Sequence, residues 1–430
     1  MPGEPQITTL SNGLRLVVTA MPTAQAAAVS FFVGVGSRHE DARTNGLSHY
    51  IEHMLFKGTE SRTAAEISEA IEGAGGSLNA FTTKEVTCYW NNLPYERVAT
   101  GIEILGDMLQ RSLLDPEELE RERPVVQQEI RRSHDSPGSK ASELLSTATW
   151  GDQPIGWPVA GTIDTVQGVT REDFVDHMAT YYTAANSVFS IAGNVDPDEV
   201  VALVEREFGA LPTGAAAPTP AATPARPPLT EDYIAVEPRE IEQTNLALAV
   251  HGIGRRDPDR FALDVMNTAL GRGMSSRLFQ EVRERRGLAY SVGSGSTRYR
   301  EVGTLSVSAG VTREHQEEAL EVIVRELRRL VDEPMPADEL TRTKDYASGS
   351  FRLSLETPMS FAQRWGAQLL HDGELEPADE VVERLRAVTT EDVQRVAARL
   401  LGDPKFSLAV VGPSASRERL DEILHGGVEG

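Results

Sequence analysis

Residues 45–59 of the chain read NGLSHYIEHMLFKGT, and their apolar side chains recur with the spacing of one helix face. We expect a helix over Asn45–Phe56, with Asn45 as its N-cap. The predicted buried stripe of this helix consists of Leu47, Ile51, Met54 and Leu55. The polar residues between these positions then share the opposite side of the helix.

His49, Glu52 and His53 make up that polar side, because positions i, i+3 and i+4 of a helix point the same way. Two imidazoles one turn apart can hold one Zn²⁺, and the carboxylate between them can act as a general base on a zinc-bound water. The order H-x-x-E-H is the inverse of the commoner H-E-x-x-H. The alternative is a surface helix that carries two histidines by chance.

A catalytic zinc usually has three protein ligands, so a third is expected from another element. The predicted helix Pro116–Ser133 carries Glu122 and Glu129 seven residues apart, on nearly the same face. One of them can bind the metal while the other orients a ligand imidazole. Spacing alone does not decide which is the ligand, and two glutamates on an acidic helix are more often a solvated face. Pro124 is expected to kink this helix.

The composition of the whole chain excludes several classes of partner. The 430 residues include 42 Lys and Arg and 65 Asp and Glu, which gives a formal net charge of −23. This negative charge argues against binding to nucleic acid or to an anionic membrane surface. A single cysteine, Cys88, rules out an intrachain disulfide and is expected to be a buried thiol. No signal segment or membrane-spanning stretch is evident, so we expect a soluble, cytoplasmic protein.

The chain divides into two similar halves. Residues 212–228 are almost all Ala, Pro and Thr and predict a linker between domains at 1–211 and 229–430. Val169–Phe174 resembles Val388–Val393, and Ser190–Gly193 resembles Ala409–Gly412, both at an offset of 219 residues. Short turns between neighbouring strands predict an α+β class, with two duplicated domains of antiparallel sheet packed with helices.

The HYIEH helix, the segment ERERPVVQQEI and the run GGSLNAFT together resemble the pitrilysin (insulinase) family of zinc metallopeptidases with the inverted motif. The chain is similar to the short-chain branch, which includes the mitochondrial processing peptidase and bacterial relatives. The resemblance implies one Zn²⁺ per chain, held by His49, His53 and Glu129. It also implies Glu52 as the base and Glu122 as the supporting acid.

Two further elements follow from the resemblance. Gly75–Thr82 resembles the family's substrate-binding edge strand, with Asn79 and Ala80 against the peptide; the alternative is a Gly-Gly turn before an ordinary strand. LFQEVRERRGLAYSVGS resembles the Arg/Tyr element, which implies Arg283 and Tyr290 as donors to the scissile carbonyl. Without the family, Arg283 is a helix-surface charge and Tyr290 a core aromatic.

The sequence therefore predicts a zinc metalloendopeptidase that acts on peptides or unfolded segments. In the short-chain branch two chains enclose a chamber, which implies a homodimer, or a heterodimer with a related chain. Arg283 and Tyr290 of one subunit would then serve the zinc of the other. The alternatives are a catalytically silent assembly or peptide-binding subunit, and a leader-peptide maturation protease that needs a partner chain.

Overall fold

The computed structural model describes residues 3–218, 220 and 233–426. Strands and helices mix in the first half of the chain without strict alternation. In chain order its elements are β1 (Gln6–Thr9), β2 (Arg15–Ala20), β3 (Ala26–Val33), α1 (Leu47–Met54), α2 (Ala64–Glu72), β4 (Ser77–Thr82), β5 (Thr87–Pro94), α3 (Val98–Arg111), α4 (Pro116–Asp135), α5 (Pro137–Trp150), α6 (Ile163–Gly168), α7 (Arg171–Tyr181), β6 (Ser187–Gly193) and α8 (Pro197–Phe208).

The second half repeats this plan. Its elements are β7 (Ile234–Glu237), β8 (Gln243–Ile253), α9 (Arg260–Gly271), a π-helical segment (Phe279–Glu284), β9 (Ala289–Arg298), β10 (Val302–Thr312), α10 (Gln316–Asp332), α11 (Ala337–Leu353), α12 (Pro358–Asp372), α13 (Ala378–Ala387), α14 (Thr390–Leu401), β11 (Ser407–Val411) and α15 (Arg417–His425).

The described residues form two compact units. Unit 1 comprises 3–130, 158–218, 220 and 353–376, and unit 2 comprises 131–157, 233–352 and 377–426. Each unit thus includes one helix from the opposite half of the sequence, α12 in unit 1 and α5 in unit 2. The predicted boundaries at 1–211 and 229–430 stay a prediction, and residues 219 and 221–228 of the predicted linker lie outside the described residues.

The sheet of unit 1 has the strand order β1-β2-β6-β3-β5-β4. Successive side chains of each strand point to opposite faces of the sheet. Both faces of the central strands are covered. One face packs on α1, α3, α7 and α8, with Phe31, Phe189 and Phe208 at the centre of that core. The other face packs on α12 through Phe361 and Trp365. Strand β4 lies at an edge and pairs with β5 alone among the described strands.

The sheet of unit 2, β7-β11-β8-β10-β9, repeats the arrangement with the edge strand β9 in the place of β4. The duplication is visible in the helix caps. Thr170 and Asp173 form a capping box at the start of α7, and Thr389 and Asp392, 219 residues later, form the same box at α14. The sequence similarity at this offset therefore corresponds to equivalent elements.

The α+β class is confirmed, but the prediction of antiparallel sheets is corrected. Strands β2 and β6 pair in parallel, as do β7 and β11. Long crossover connections separate the partners in each case, and such connections permit a parallel pair. Within the described ranges, no helix is both long and apolar enough to cross a bilayer.

The first turn of α1 is capped from outside the helix. The N-cap is Gly46, not Asn45 as predicted. Glycine suits this position because its φ is 98° and a Cβ atom there would lie 2.6 Å from the Ala160 carbonyl oxygen. The cap hydrogen bonds go to Glu40, a residue with 6% exposure. Its carboxylate accepts from the backbone N–H groups of Gly46 and Ser48, each at 2.7 Å.

We predict that Glu40→Ala lowers the free energy of unfolding by about 2 kcal/mol, because it leaves two buried helix N–H groups without acceptors. Denaturant unfolding of the metal-free protein measures this loss. Glu60→Ala, at an exposed position, is the matched control. Equal stabilities of the two variants would contradict the role of Glu40 as cap.

Candidate metal centre

Three ligand-type side chains meet on the polar side of α1. His49 and His53 come from α1, whose opposite side is buried through Leu47, Tyr50 and Ile51, and Glu129 comes from α4. The Glu129 Oε2 atom lies 3.6 Å from His49 Nε2 and 3.3 Å from His53 Nε2. Such a group of three His, Cys, Asp or Glu residues occurs nowhere else in the described chain.

The spacing of these atoms fits a zinc ion. Ligand atoms at about 2.1 Å from a tetrahedral Zn²⁺ lie about 3.4 Å apart. Both distances to Glu129 match that value, and the three ligand atoms all lie within 4.8 Å of one another. Burial, together with the neighbouring His53, lowers the pKa of His49 to about 4, so its imidazole is in the neutral form that binds metals.

Glu122 supports the second histidine and does not join the three ligand atoms. Its Oε1 accepts from His53 Nδ1 at 3.0 Å, and its Oε2 lies 2.5 Å from Lys57 Nζ. Burial opposes ionisation of this carboxyl, but the bonds from His53 and Lys57 outweigh it and lower the pKa of Glu122. Burial likewise opposes the charged form of His53, yet the bond to Glu122 and the field of Glu129 raise its pKa. The pair therefore fixes the His53 ring with Nε2 towards Glu129.

Glu52 lies between the two histidines on the same side of α1. It is partly buried, and its Oε2 accepts a hydrogen bond from Thr82 Oγ1 at 2.5 Å. Burial is the largest effect on this carboxyl and raises the pKa of Glu52, against the opposing effect of the Thr82 bond. A carboxylate with a raised pKa is a stronger base and therefore a better proton acceptor in its ionised form.

The predicted peptide-binding residues lie on the edge strand β4. Asn79 is exposed, and its Oδ1 accepts from the Ala80 N–H at 2.8 Å. The Ala80 N–H therefore bonds the side chain of the preceding residue. The structure places this strand beside α1, while its role in substrate binding stays a prediction.

Arg283 and Tyr290 belong to unit 2, whereas the metal cluster belongs to unit 1. The Arg283 guanidinium carbon lies 5.8 Å from the centre of the Tyr290 ring and 4.9 Å from that of Phe279. Tyr290 is 81% exposed, so the alternative of a core aromatic is wrong. Arg283 is exposed too and forms no ion pair with a described residue. The two donors are thus adjacent and open, while their catalytic role stays a prediction.

Two family models match successive parts of this chain. Residues 15–163 match the model described as insulinase (peptidase family M16), and residues 168–346 match the one described as the peptidase M16 inactive domain. The chain belongs to peptidase family M16. This membership confirms the predicted resemblance and the enzyme class, a zinc peptidase.

The sequence similarity between this M16 chain and its relatives covers nearly its whole length. An uncharacterized zinc protease of Streptomyces coelicolor is 38% identical over 97% of this chain and 91% of its own length. The uncharacterized zinc protease YmxG of Bacillus subtilis is 36% identical over 95% and 98%. The crystal structure of a protease from Helicobacter pylori shares the fold, with a TM-score of 0.87 and 23% identity over 96% of this chain and all of its own.

Sequence reasoning missed three residues at this M16 centre: Glu40, Lys57 and Thr82. Lys57 has a local signal, since it follows His53 by four residues, the spacing of one helical turn. Thr82 and Glu40 have none, because strand pairing and loop path bring them to α1.

The two glutamates of α4 give a direct test of which one binds zinc. We predict that Glu129→Ala abolishes stoichiometric zinc binding, because two histidines alone hold the metal weakly. Glu122→Gln is expected to weaken zinc binding by about 10–100-fold, since it only orients His53. Metal analysis after dialysis and competition with a chelator measure both effects. The reverse order of severity would make Glu122 the ligand.

A second prediction concerns acid stability. His177 of α7 is buried with its Nε2 3.3 Å from Ser48 Oγ, and burial, with a smaller effect of His39, lowers its pKa to about 3. Between about pH 6.5 and 3 the unfolded chain binds a proton that folded His177 does not. The protein therefore becomes less stable as the pH is lowered through this range.

We expect His177→Gln to reduce this acid loss. Thermal unfolding of the metal-free protein from pH 7 to pH 4 is the measurement. Val175→Gln, at an exposed and non-titrating position of the same helix, is the control and should retain the wild-type slope. An unchanged slope in His177→Gln would contradict the assignment.

Proposed function

We propose that this M16 peptidase is a zinc-dependent endopeptidase that hydrolyses peptides or unfolded polypeptide segments as a homodimer. The observation that carries the proposal is the cluster on α1 and α4. His49, His53 and Glu129 have the identities and spacing of a three-ligand zinc site, and Glu52 lies between the two histidines. The family membership and the zinc protease relatives support the same chemistry.

His49, His53 and Glu129 would hold the ion, and Glu122 and Lys57 would keep His53 oriented. A zinc ion with three protein ligands supplies a Lewis acid and an activated water. The Glu52 carboxylate accepts the proton of the attacking water and then passes it to the leaving amine. Its position on α1, fixed by the buried side of the helix, keeps it beside the reacting atoms throughout.

The edge strand β4 would bind the substrate as an added strand. Pairing with an edge uses backbone groups, so it is largely independent of the peptide sequence. Asn79, exposed on this strand, offers its Nδ2 group as a further donor. Such binding suits peptides or unfolded segments, because a folded protein presents no free extended strand.

Arg283 and Tyr290 would complete the site of a second copy. Both are exposed, and Tyr290 at 81% exposure is an unusual position for an aromatic unless a partner or substrate covers it. A guanidinium and a phenol donate hydrogen bonds to a carbonyl oxygen that gains negative charge. Two chains would enclose the substrate, and each would hold one zinc.

The role of Glu52 is tested by Glu52→Gln. We predict a fall in kcat of at least about 100-fold with unchanged zinc content, because the amide cannot accept a proton. Hydrolysis of a mixed peptide library, followed by mass spectrometry with metal analysis of the same samples, gives both quantities. If wild-type protein with bound zinc cleaves no peptide, the chain is a silent assembly or peptide-binding subunit instead.

Sharing of the site between subunits predicts complementation. Dimers of Glu52→Gln chains alone, or of Arg283→Ala chains alone, are expected to have low activity. A mixed dimer contains one site with both residues intact. Mixing under conditions of subunit exchange should therefore restore activity, and gel filtration should show a dimer. No recovery in a confirmed mixed dimer would place both residues of a site in one chain. Activity that requires a different partner chain would favour a maturation protease.

A further inference from the structure

The last residue of β4, Thr82, faces the metal-bearing helix. Side chains of a strand alternate between its two faces, so Leu78, Ala80 and Thr82 share one face. Leu78 and Ala80 pack against the core that also buries α1. Thr82 continues this row and donates its hydroxyl proton to Glu52 Oε2 at 2.5 Å.

This bond is the only hydrogen bond that a described residue makes to the Glu52 carboxylate. Among the described residues no Lys or Arg forms an ion pair with Glu52, whereas Lys57 does so with Glu122. A single donor restricts the rotation of a partly buried carboxylate, because it holds one of the two oxygens. The Thr82 hydroxyl therefore favours the orientation in which Oε2 is held and Oε1 is left to accept a proton.

We infer that Thr82 is a positioning residue that orients Glu52. This inference rests on the proposed function, in which Glu52 is the general base. The same strand that would align the substrate backbone would then also hold the base. Thr82 touches neither the metal ligands nor the reacting atoms in this role, so its loss affects the chemical step and leaves zinc binding intact.

The neighbouring Thr83 gives a matched control. Its Oγ1 donates to the Val86 carbonyl oxygen at 3.0 Å and accepts from the Val86 N–H at 3.1 Å, so its hydroxyl closes the turn between β4 and β5. Valine has the shape of threonine and suits a strand. Thr82→Val and Thr83→Val thus remove one hydroxyl each, and only the first removes the donor to Glu52.

The first experiment measures kcat, KM and zinc affinity with an internally quenched peptide selected from the library. For Thr82→Val we expect kcat to fall by about tenfold or more, with unchanged KM and unchanged zinc affinity in chelator competition. Thr82→Ser, which keeps the donor, should recover most of kcat, and Thr83→Val should match the wild type. A wild-type kcat in Thr82→Val, no recovery in Thr82→Ser, or a parallel loss of zinc affinity would overturn the inference.

The second experiment needs no catalysis and therefore separates this inference from the proposed function. The melting temperatures of metal-free Thr82→Val, Glu52→Ala and the double variant form a mutant cycle. We expect Thr82→Val to shift the melting temperature in the wild-type background but much less when Glu52 is absent. Additive shifts would overturn the pairing. If the cycle shows coupling while the wild type cleaves nothing, the proposed function fails and the orientation of Glu52 by Thr82 stands.

Discussion

The 3.6-residue period of one short helix controls the arrangement of the metal centre. Helix α1 has eight residues, of which Leu47, Tyr50, Ile51 and Met54 are buried and His49, Glu52 and His53 form the opposite side. Rotation of the helix to move a ligand would expose the buried side chains, at a cost of about 1.5–3 kcal/mol for each large one. Core packing therefore fixes the direction in which both imidazoles and the carboxylate point.

The three carboxylates near this helix lie in different electrostatic environments. Glu122 bonds both His53 and Lys57, which favour its ionised form and hold it as an acceptor. Burial of Glu52 disfavours its charge, and the single hydroxyl donor, Thr82, only partly offsets that effect. Glu129 is held close to two imidazoles. Three carboxylates near the same pair of histidines thus have three environments, which match the orienting group, the proton acceptor and the ligand of the proposed mechanism.

The duplicated half has the same frame without the chelating side chains. Helix α9 lies between β8 and β9 just as α1 lies between β3 and β4, but its sequence RFALDVMNTALG contains no histidine or glutamate. The capping boxes at α7 and α14 show that local folding signals persisted at the same offset. Folding signals are therefore kept in both copies, whereas among the described residues the candidate metal cluster lies in the first. The second copy instead presents Arg283 and Tyr290 at its surface.

The sequence alone determined the helix α1, its buried side, the two histidines and the pair of candidate glutamates, because helical periodicity is a local property. It also determined the duplication, since two short matches at one offset mark equivalent elements. Residue spacing did not choose between Glu122 and Glu129, because seven residues put both on one side of α4, and only the family resemblance favoured Glu129. The tertiary structure supplies the physical distinction, by bringing Glu129 to both imidazoles and Glu122 to Lys57. It alone placed Glu40 at the start of α1 and Thr82 on Glu52, since those contacts depend on the loop path and strand register, which no local pattern encodes.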